Sequence, residues 1–318
     1  MLSTEIEVKN LLTQRVAPEL IVVEVKFYHG NARTSNYLVD GKLMLRLSKS
    51  ILVEVEKLQR VADTIKTPKV HAAGTFEIND ATYYYTLIDF VNGLELWDSL
   101  SMLSVEQKYQ LGVEIAEFLT ELHGIKGQAY DIGHYIPTIP SWTGSWQEGH
   151  QRYVEYLEKY LPLEQLEILS QAVVKKAFAF IKTNIDVLIY QSGAVMLHND
   201  LHPKNVIIAD GQLTGVIDWE CSQFGEADFE LTNLFQWQIY PPTTARHDLV
   251  ALLQGVMKNL PSVAKIPHFA TRMTIYQLEE ELNQLIWHGK SAEVERAKRI
   301  QGWLDGKVDE LLKRMENY

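Results

Sequence analysis

The stretch Val195–Glu220, VMLHNDLHPKNVIIADGQLTGVIDWE, decides how the rest of the chain is read. Val206–Ala209 and Gln212–Ile217 have the apolar, β-branched texture of strands. Asp210-Gly211 between them supplies the positive φ angles of a two-residue turn. With that turn Ala209 faces Gln212 and Val206 faces Gly215. Asn205 then faces Val216, two residues short of Asp218. The hairpin brings Asn205 and Asp218 together at its open end. Asp200, five residues before Asn205, lies on the loop that enters the first strand.

Carboxylate and amide oxygens are hard ligands that suit Mg²⁺, which takes one or two protein ligands and completes its shell with phosphate oxygens and water. A further carboxylate kept off the metal can accept a proton from a hydroxyl nucleophile. Metal ligands and a base on one rigid element are the equipment of phosphoryl transfer from a nucleotide. His198 and His202 flank the motif and leave a transition-metal site as an alternative.

Upstream, the first ninety or so residues are β-rich. Ile21–Tyr28 alternates as a strand. Asn36–Asp40 and Lys42–Leu47 form a hairpin about Asp40-Gly41. Ile51–Ile65 reads as a short helix that ends before Pro68. Gly74–Glu77 and Thr82–Ile88 form a further strand pair. After Asn92-Gly93 the pattern becomes helical. Ser104 and Gln107 make a capping box, and Leu111, Ile115, Phe118 and Leu122 recur at helical spacing before Gly124. Ile300, Leu304, Val308, Leu311 and Met315 mark one amphipathic C-terminal helix. The chain therefore reads as α+β, with a small β-rich N-terminal lobe at 1–91 and a larger, mainly helical lobe at 92–318.

Composition narrows the function classes. The 318 residues suggest about two domains. With 30 Lys+Arg against 41 Asp+Glu, the formal charge of −11 argues against a nucleic-acid partner and against an anionic membrane surface. It leaves a cationic or neutral small molecule open. Cys221 is the single cysteine, which excludes an internal disulfide framework and fits a reducing, cytoplasmic setting. No signal-peptide pattern is visible at the N-terminus. The greasiest stretch, Ala172–Tyr190, is interrupted by Lys175, Lys176, Lys182 and Asp186 and reads as an amphipathic helix, not a membrane span.

His198-Asn199-Asp200-Leu201-His202-Pro203-Lys204-Asn205, followed by Ile217-Asp218-Trp219-Glu220, resembles the aminoglycoside phosphotransferase and choline kinase-like family. That resemblance implies the bilobal protein-kinase-like fold. It further implies that Asp200 is the catalytic base, that Asn205 and Asp218 hold Mg²⁺, and that ATP or GTP is the phosphoryl donor. Asn199 stands where the family often has Gly. Asp218-Trp219-Glu220 replaces the Asp-Phe-Gly of protein kinases, which favours the small-molecule branch over a protein kinase.

The same resemblance places Arg46 at the third-strand position where many kinases carry a phosphate-binding lysine, with Glu54 preferred to Glu56 as its carboxylate partner. It assigns Gly30–Asn36 to the phosphate-covering loop, with Ser35 as a contact. Leu87–Val91 becomes the hinge that reads the purine, with Asp89 and Val91 as cofactor-binding residues. Gly225–Leu231 resembles a family segment in which Glu230 replaces the usual Asp; its reading is structural.

The acceptor is expected against the helical lobe. Trp142, Trp146 and Trp237 are candidates to stack on a sugar or cage an amine, and Asp228 and Glu148 to attract one. Each Trp equally suits helix packing. The expected function is ATP-dependent transfer of the γ-phosphate to a hydroxyl of an aminoglycoside-like molecule, amino alcohol or sugar, by a monomer or homodimer. The alternative is a nucleotide-binding pseudokinase or regulatory protein of the same fold, motivated by Arg46 and by a loop without G-x-G-x-x-G.

Overall fold

Two Asp-Gly pairs turn the chain as expected: Asp40 and Gly41 at φ 50° and 67°, Asp210 and Gly211 at φ 52° and 78°. The computed structural model describes residues 5–30, 34–50, 52–62, 66–78, 81–131, 144–242 and 247–317. Its contacts divide the chain into two compact units, Met1–Leu96 with Lys204–Cys221 and Trp97–Pro203 with Ser222–Tyr318. The division differs from a single cut at residue 92 in two respects, the first being that the first unit runs on to Leu96. The hairpin bearing Asn205 and Asp218 packs with the first unit, while Asp200 belongs to the second.

The first unit is built on a five-stranded antiparallel sheet in the order β1-β2-β3-β5-β4. Its strands are β1 (Val25–Gly30), β2 (Thr34–Val39), β3 (Leu43–Ser48), β4 (Val70–Ile78) and β5 (Ala81–Asp89). Helix α1 (Glu5–Leu11) runs on into a π-helical turn, Leu12–Val16, and the two bury Val8, Leu11, Leu12 and Val16 against Tyr37, Val39, Leu45, Leu47 and Leu87. Alternation along β3 puts Leu45 and Leu47 on this core face and Arg46 on the other.

The first strand starts four residues later than its sequence pattern suggests. The Val23 and Glu24 N–H groups donate to the Asp40 carboxylate at 3.0 and 2.6 Å, in place of a strand partner. Ile21 and Val23 remain exposed. Helix α2 (Glu54–Arg60) is also shorter than expected; residues 51 and 63–65 lie outside the described residues. A three-stranded sheet in the order β6-β8-β9 completes this unit, from β6 (Leu94–Glu95), β8 (Val206–Ala209) and β9 (Gln212–Val216).

The second unit is mainly helical. It contains α4 (Val105–Leu122), which follows the short α3 (Leu96–Ser99), then α5 (Trp146–Tyr160), α6 (Ile168–Asn184), α7 (Thr232–Ile239), α8 (Val250–Asn259), α9 (Phe269–His288), α10 (Glu293–Leu304) and α11 (Lys307–Glu316). The strand pair β7 (Val195–Leu197) and β10 (Gln223–Gly225) interrupts them. The capping box of α4 forms, with Gln107 N–H on Ser104 Oγ at 3.2 Å and Ser104 N–H on Gln107 Oε1 at 2.9 Å. Leu111, Ile115, Phe118 and Leu122 are fully buried, each contributing about 1.5–3 kcal/mol of apolar burial.

α4 and α8 cross at two glycines. A Cβ on Gly112 would lie 2.1 Å from Leu252 O, and one on Gly255 2.3 Å from Tyr109 O, so backbone meets backbone there. The C-terminal helix expected from one hydrophobic stripe is two helices. Gly306 adopts φ 90° between α10 and α11, yet Ile300, Val308, Leu311 and Met315 all stay buried. No helix among the described residues is long and apolar enough to cross a membrane.

Candidate active site

The buried strand β7 delivers the chain into a loop whose backbone is tied at almost every residue. His198 is fully buried. Its N–H donates to Glu230 Oε2 at 2.7 Å, and the Asn199 N–H donates to Glu230 Oε1 at 3.0 Å. Asn199 takes φ 63°, a left-handed conformation that Asn tolerates better than most residues. Its carbonyl accepts from Asn233 Nδ2 at 3.2 Å. The Asp200 N–H donates to His198 Nδ1 at 3.3 Å, and the His202 N–H to the Asp200 carbonyl at 2.9 Å.

The side chain of Asp200 is 31% exposed at the tip of this loop. His202 Nε2 stands 3.7 Å from Asp200 Oδ2, and the imidazole stacks on Trp237 with ring centroids 4.7 Å apart. Trp237 packs edge-on against Trp97 at 4.8 Å, and Trp97 against His247 at 4.6 Å. Neither Trp97 nor His247 is marked by any local motif. Only the fold puts them in line with the loop.

The hairpin closes with a register that corrects the sequence reading. Val206 pairs with Val216, not Gly215, because a bulge between Ile207 and Ile208 takes up one extra residue. That residue is Thr214, whose hydroxyl donates to Ile207 O at 3.0 Å or to Asn92 O at 3.1 Å. The Asn205 carbonyl therefore accepts from the Ile217 N–H at 2.9 Å, and Asp218 follows immediately. Asp218 sits at φ 68°. Trp219 fixes the chain behind it: the indole is fully buried and donates to Val216 O at 2.9 Å. Such strained backbone held by its surroundings is common at functional sites. The donor set is one carboxylate and one amide, all hard oxygen. It fits Mg²⁺ completed by phosphate oxygens and suits a soft metal poorly.

On the other face of the five-stranded sheet, Arg46 Nη1 donates to Glu54 Oε2, and Arg46 Nε donates to Asn36 Oδ1 at 3.3 Å. Glu56 is engaged elsewhere, with Arg60 at 2.5 Å. Glu54 is 3% exposed and its second oxygen accepts from the Trp219 N–H at 3.5 Å. Burial pushes the Glu54 carboxyl above its ordinary pKa. Arg46 opposes that shift and the Asp218 charge adds to it. The structure thus links Arg46, Glu54 and the segment after Asp218.

Ser35 is a correction. It pairs with Leu47 and is 4% exposed, on the core face and away from Arg46. Its neighbour Asn36 is the residue that pairs with Arg46. Thr86 also faces Arg46 across the strands; its hydroxyl is buried with no hydrogen-bond partner among the described residues. Asp89 is partly exposed and holds the Lys69 N–H at 3.1 Å and His71 Nε2 at 2.7 Å. Phe90 N–H is taken by Lys42 O at 2.8 Å, while the Val91 amide has no backbone partner among the described residues.

Burial also removes two acceptor candidates. Trp146 is 1% exposed, and its indole donates to Tyr276 Oη at 2.9 Å. Asp228 is fully buried in a two-pronged ion pair with Arg272, Nε to Oδ2 at 2.5 Å and Nη2 to Oδ1 at 3.0 Å. Both serve the interior of the helical unit. Glu148 completes the capping box of α5 with Ser145. Trp142 lies outside the described residues. Among the described candidates it is Trp237, itself 9% exposed, that adjoins the Asp200 loop, through His202.

Comparison with known proteins agrees with this geometry. The phosphotransferase enzyme family (APH) matches residues 24–265. Hygromycin-B 4-O-kinase of Escherichia coli is 37% identical over 43 residues, which is 14% of this chain and 13% of that protein. The match therefore spans about an eighth of that relative's length. Among solved structures, aminoglycoside phosphotransferase APH(4)-Ia superposes with a TM-score of 0.68 at 17% identity, over 96% of this chain and 99% of that one. The GDP complex of aminoglycoside 2'-phosphotransferase-IIIa gives 0.66 at 15%, over 97% and 99%. The streptomycin–ATP complex of APH(2")-IIa gives 0.62 at 17%, over 97% and 99%. These likenesses share the fold over nearly whole chains. With the match across the tied loop, the hairpin and the Arg46 strand, they mean that the chain belongs to the phosphotransferase enzyme family.

Proposed function

We propose that the protein is an ATP-dependent O-phosphotransferase that moves the γ-phosphate to a hydroxyl of a small molecule. The observation that carries this reading is the placing of Asp200. Its carboxylate is open to solvent while the backbone around it is fixed by Glu230, His198 and Asn233. A base held in this way accepts the acceptor's hydroxyl proton without reorganising the loop. Asn205 and Asp218, on the same continuous segment, are the residues that would hold Mg²⁺. A bound Mg²⁺ supplies neutralisation of phosphate charge.

Arg46 has Nη1 and Nε committed to Glu54 and Asn36; Nη2, with no partner among the described residues, would donate to a phosphate oxygen. Glu54 aims that donor and at the same time restrains the chain at Trp219. The Val91 amide, which has no backbone partner among the described residues, lies on the connector expected to meet the purine. The nucleotide complexes of the solved relatives, with ATP and with GDP, support a nucleotide site of this kind.

The test is Asp200→Asn. Acceptor-dependent ADP release is expected to fall at least ~100-fold, with the affinity for Mg-nucleotide within about two-fold of the parent. Transfer at near-parental rate by that variant would reassign the base.

A further inference from the structure

His202 follows the proposed base by two residues and is held from three sides. Its N–H donates to the Asp200 carbonyl at 2.9 Å. Pro203 comes next and confines residue 202 to extended backbone, and the Pro203 carbonyl accepts the Trp97 N–H at 3.0 Å. The imidazole lies on the Trp237 ring, with centroids 4.7 Å and planes 24° apart, and Trp237 is backed by Trp97 at 4.8 Å. All four residues belong to the same compact unit as Asp200. The His202 and Asp200 side chains are 19% and 31% exposed, so a molecule in solvent can reach both.

His202 Nε2 stands 3.7 Å from Asp200 Oδ2. That exceeds a direct hydrogen bond, which spans about 2.7–3.2 Å. It allows one oxygen atom to lie about 2.8 Å from both groups at once. A hydroxyl oxygen carries one donor and two acceptor lone pairs. Its proton can point to Asp200 while one lone pair takes an N–H from His202, and the second lone pair is left for phosphorus. The carboxylate charge favours the imidazole tautomer with its proton on Nε2. A protonated amine has donors only and would leave that N–H without an acceptor. The pair therefore matches an alcohol.

We propose that His202 is a second catalytic residue, which holds the acceptor hydroxyl through Nε2 while Asp200 takes its proton. The proposal rests on the phosphotransferase reading. In the step, a bond forms between the acceptor oxygen and the γ-phosphorus. The bond from that phosphorus to the β,γ-bridging oxygen breaks, and ADP leaves with the electron pair. The hydroxyl proton passes to Asp200, and His202 keeps its own. The contribution of His202 is orientation of the nucleophile, which acts on kcat and leaves nucleotide binding alone.

Three variants separate a hydrogen-bond donor from a packing residue. His202→Gln carries an N–H near the place of Nε2. His202→Asn carries one near Nδ1, too short to reach the hydroxyl. His202→Phe keeps an aromatic face for Trp237 and has no donor. ADP release from the full chain is measured with Mg-ATP in water alone and with glucose, choline or hygromycin B, and each variant is melted. Water is itself an O–H nucleophile, so its Asp200-dependent turnover serves as a probe without any added acceptor. In His202→Phe and His202→Asn kcat is expected to fall at least ~10-fold, with the KM for Mg-ATP within about two-fold of the parent, while His202→Gln keeps a kcat at least ~5-fold above either.

A Phe variant as active as the Gln variant, or an Asn variant at the parental kcat, overturns the proposal and leaves Asp200 and the phosphotransferase reading standing. A raised KM for Mg-ATP with kcat unchanged also overturns it. If His202→Phe does not melt cooperatively, the Gln and Asn variants decide, and equal kcat in those two overturns the proposal. Absence of Asp200-dependent ADP release with water and with every acceptor overturns the phosphotransferase reading and the proposal with it.

Discussion

The Glu230 carboxylate accepts the His198 backbone N–H at 2.7 Å, and its other oxygen takes the next N–H, that of Asn199, at 3.0 Å. Both oxygens are thus used as acceptors on the two residues that precede Asp200. Glu230→Gln keeps the shape and turns one oxygen into a donor facing an N–H. That leaves a buried donor unpaired, at a cost of about 1–3 kcal/mol. The expected result is a melting temperature lower by several degrees and a kcat lowered about ten-fold, with nucleotide affinity unchanged. Thermal melts and steady-state kinetics check the two parts. A normal kcat in a destabilised variant would confine Glu230 to folding.

Glu54 makes the first unit sensitive to pH. Its carboxyl pKa is raised by burial, against the pull of Arg46, so the folded chain holds this proton where the unfolded chain has released it. Stability from this group is therefore full below the ordinary carboxylate pKa and is lost as pH rises through the raised folded value. Glu54→Gln removes the titration. As pH rises from the ordinary carboxylate range, the parental melting temperature is expected to fall relative to the variant's. The same variant releases Arg46 from its partner, and the KM for nucleotide is expected to rise about ten-fold, or ~1.4 kcal/mol. Parallel melting curves over that rise would contradict the assignment of the titrating group.

Much of the candidate site is legible in the sequence for local reasons. Asp210-Gly211 and Asp40-Gly41 set their turns by backbone preference alone, and alternation along Leu43–Ser48 separates Arg46 from Leu45 and Leu47. Parity was also available for Ser35, whose side chain must lie opposite that of Asn36, but no local signal said which of them faces Arg46. The Thr214 bulge depends on a hydroxyl that also reaches Asn92 O, 122 residues away in the chain. The rings of Trp97 and His247 join those of Trp237 and His202 only through tertiary packing. Trp146 and Asp228 carry the side chains expected of an acceptor site, and burial alone shows that they are interior residues. Motif and turn chemistry are written locally; sidedness over long separations is not.

The crossing of α4 and α8 gives a stability prediction independent of function. A methyl group on Gly112 would sit 2.1 Å from the Leu252 carbonyl oxygen, a rigid backbone atom that cannot rotate aside. Gly112→Ala normally gains helix propensity, about 1 kcal/mol. Here the helices must separate, and the variant is expected to lose ~2 kcal/mol or more through overpacking. Gln110→Ala, an exposed change on the same helix, is expected to stay within about 0.5 kcal/mol of the parent. Urea midpoints for the pair decide it. A Gly112→Ala chain as stable as Gln110→Ala would show that the crossing relaxes freely.

Asp218 allows the metal assignment to be separated from backbone strain. At φ 68° an Ala substitution would add conformational cost, whereas Asn tolerates this region and removes only the charge. Asp218→Asn leaves two amide oxygens, from residues 205 and 218, where Mg²⁺ binding calls for at least one carboxylate. In the parent, Mg²⁺ is expected to tighten nucleotide binding, and EDTA to reverse it. In the variant the affinity should be nearly the same with and without Mg²⁺, and phosphoryl transfer should fall ~100-fold or more. The melting temperature should stay close to the parental one, because the turn and the Trp219 anchor are retained. Calorimetric titration of nucleotide with and without Mg²⁺ reads this directly. An undiminished Mg²⁺ effect in Asp218→Asn would move the metal away from this carboxylate while leaving Asp200 as the proposed base.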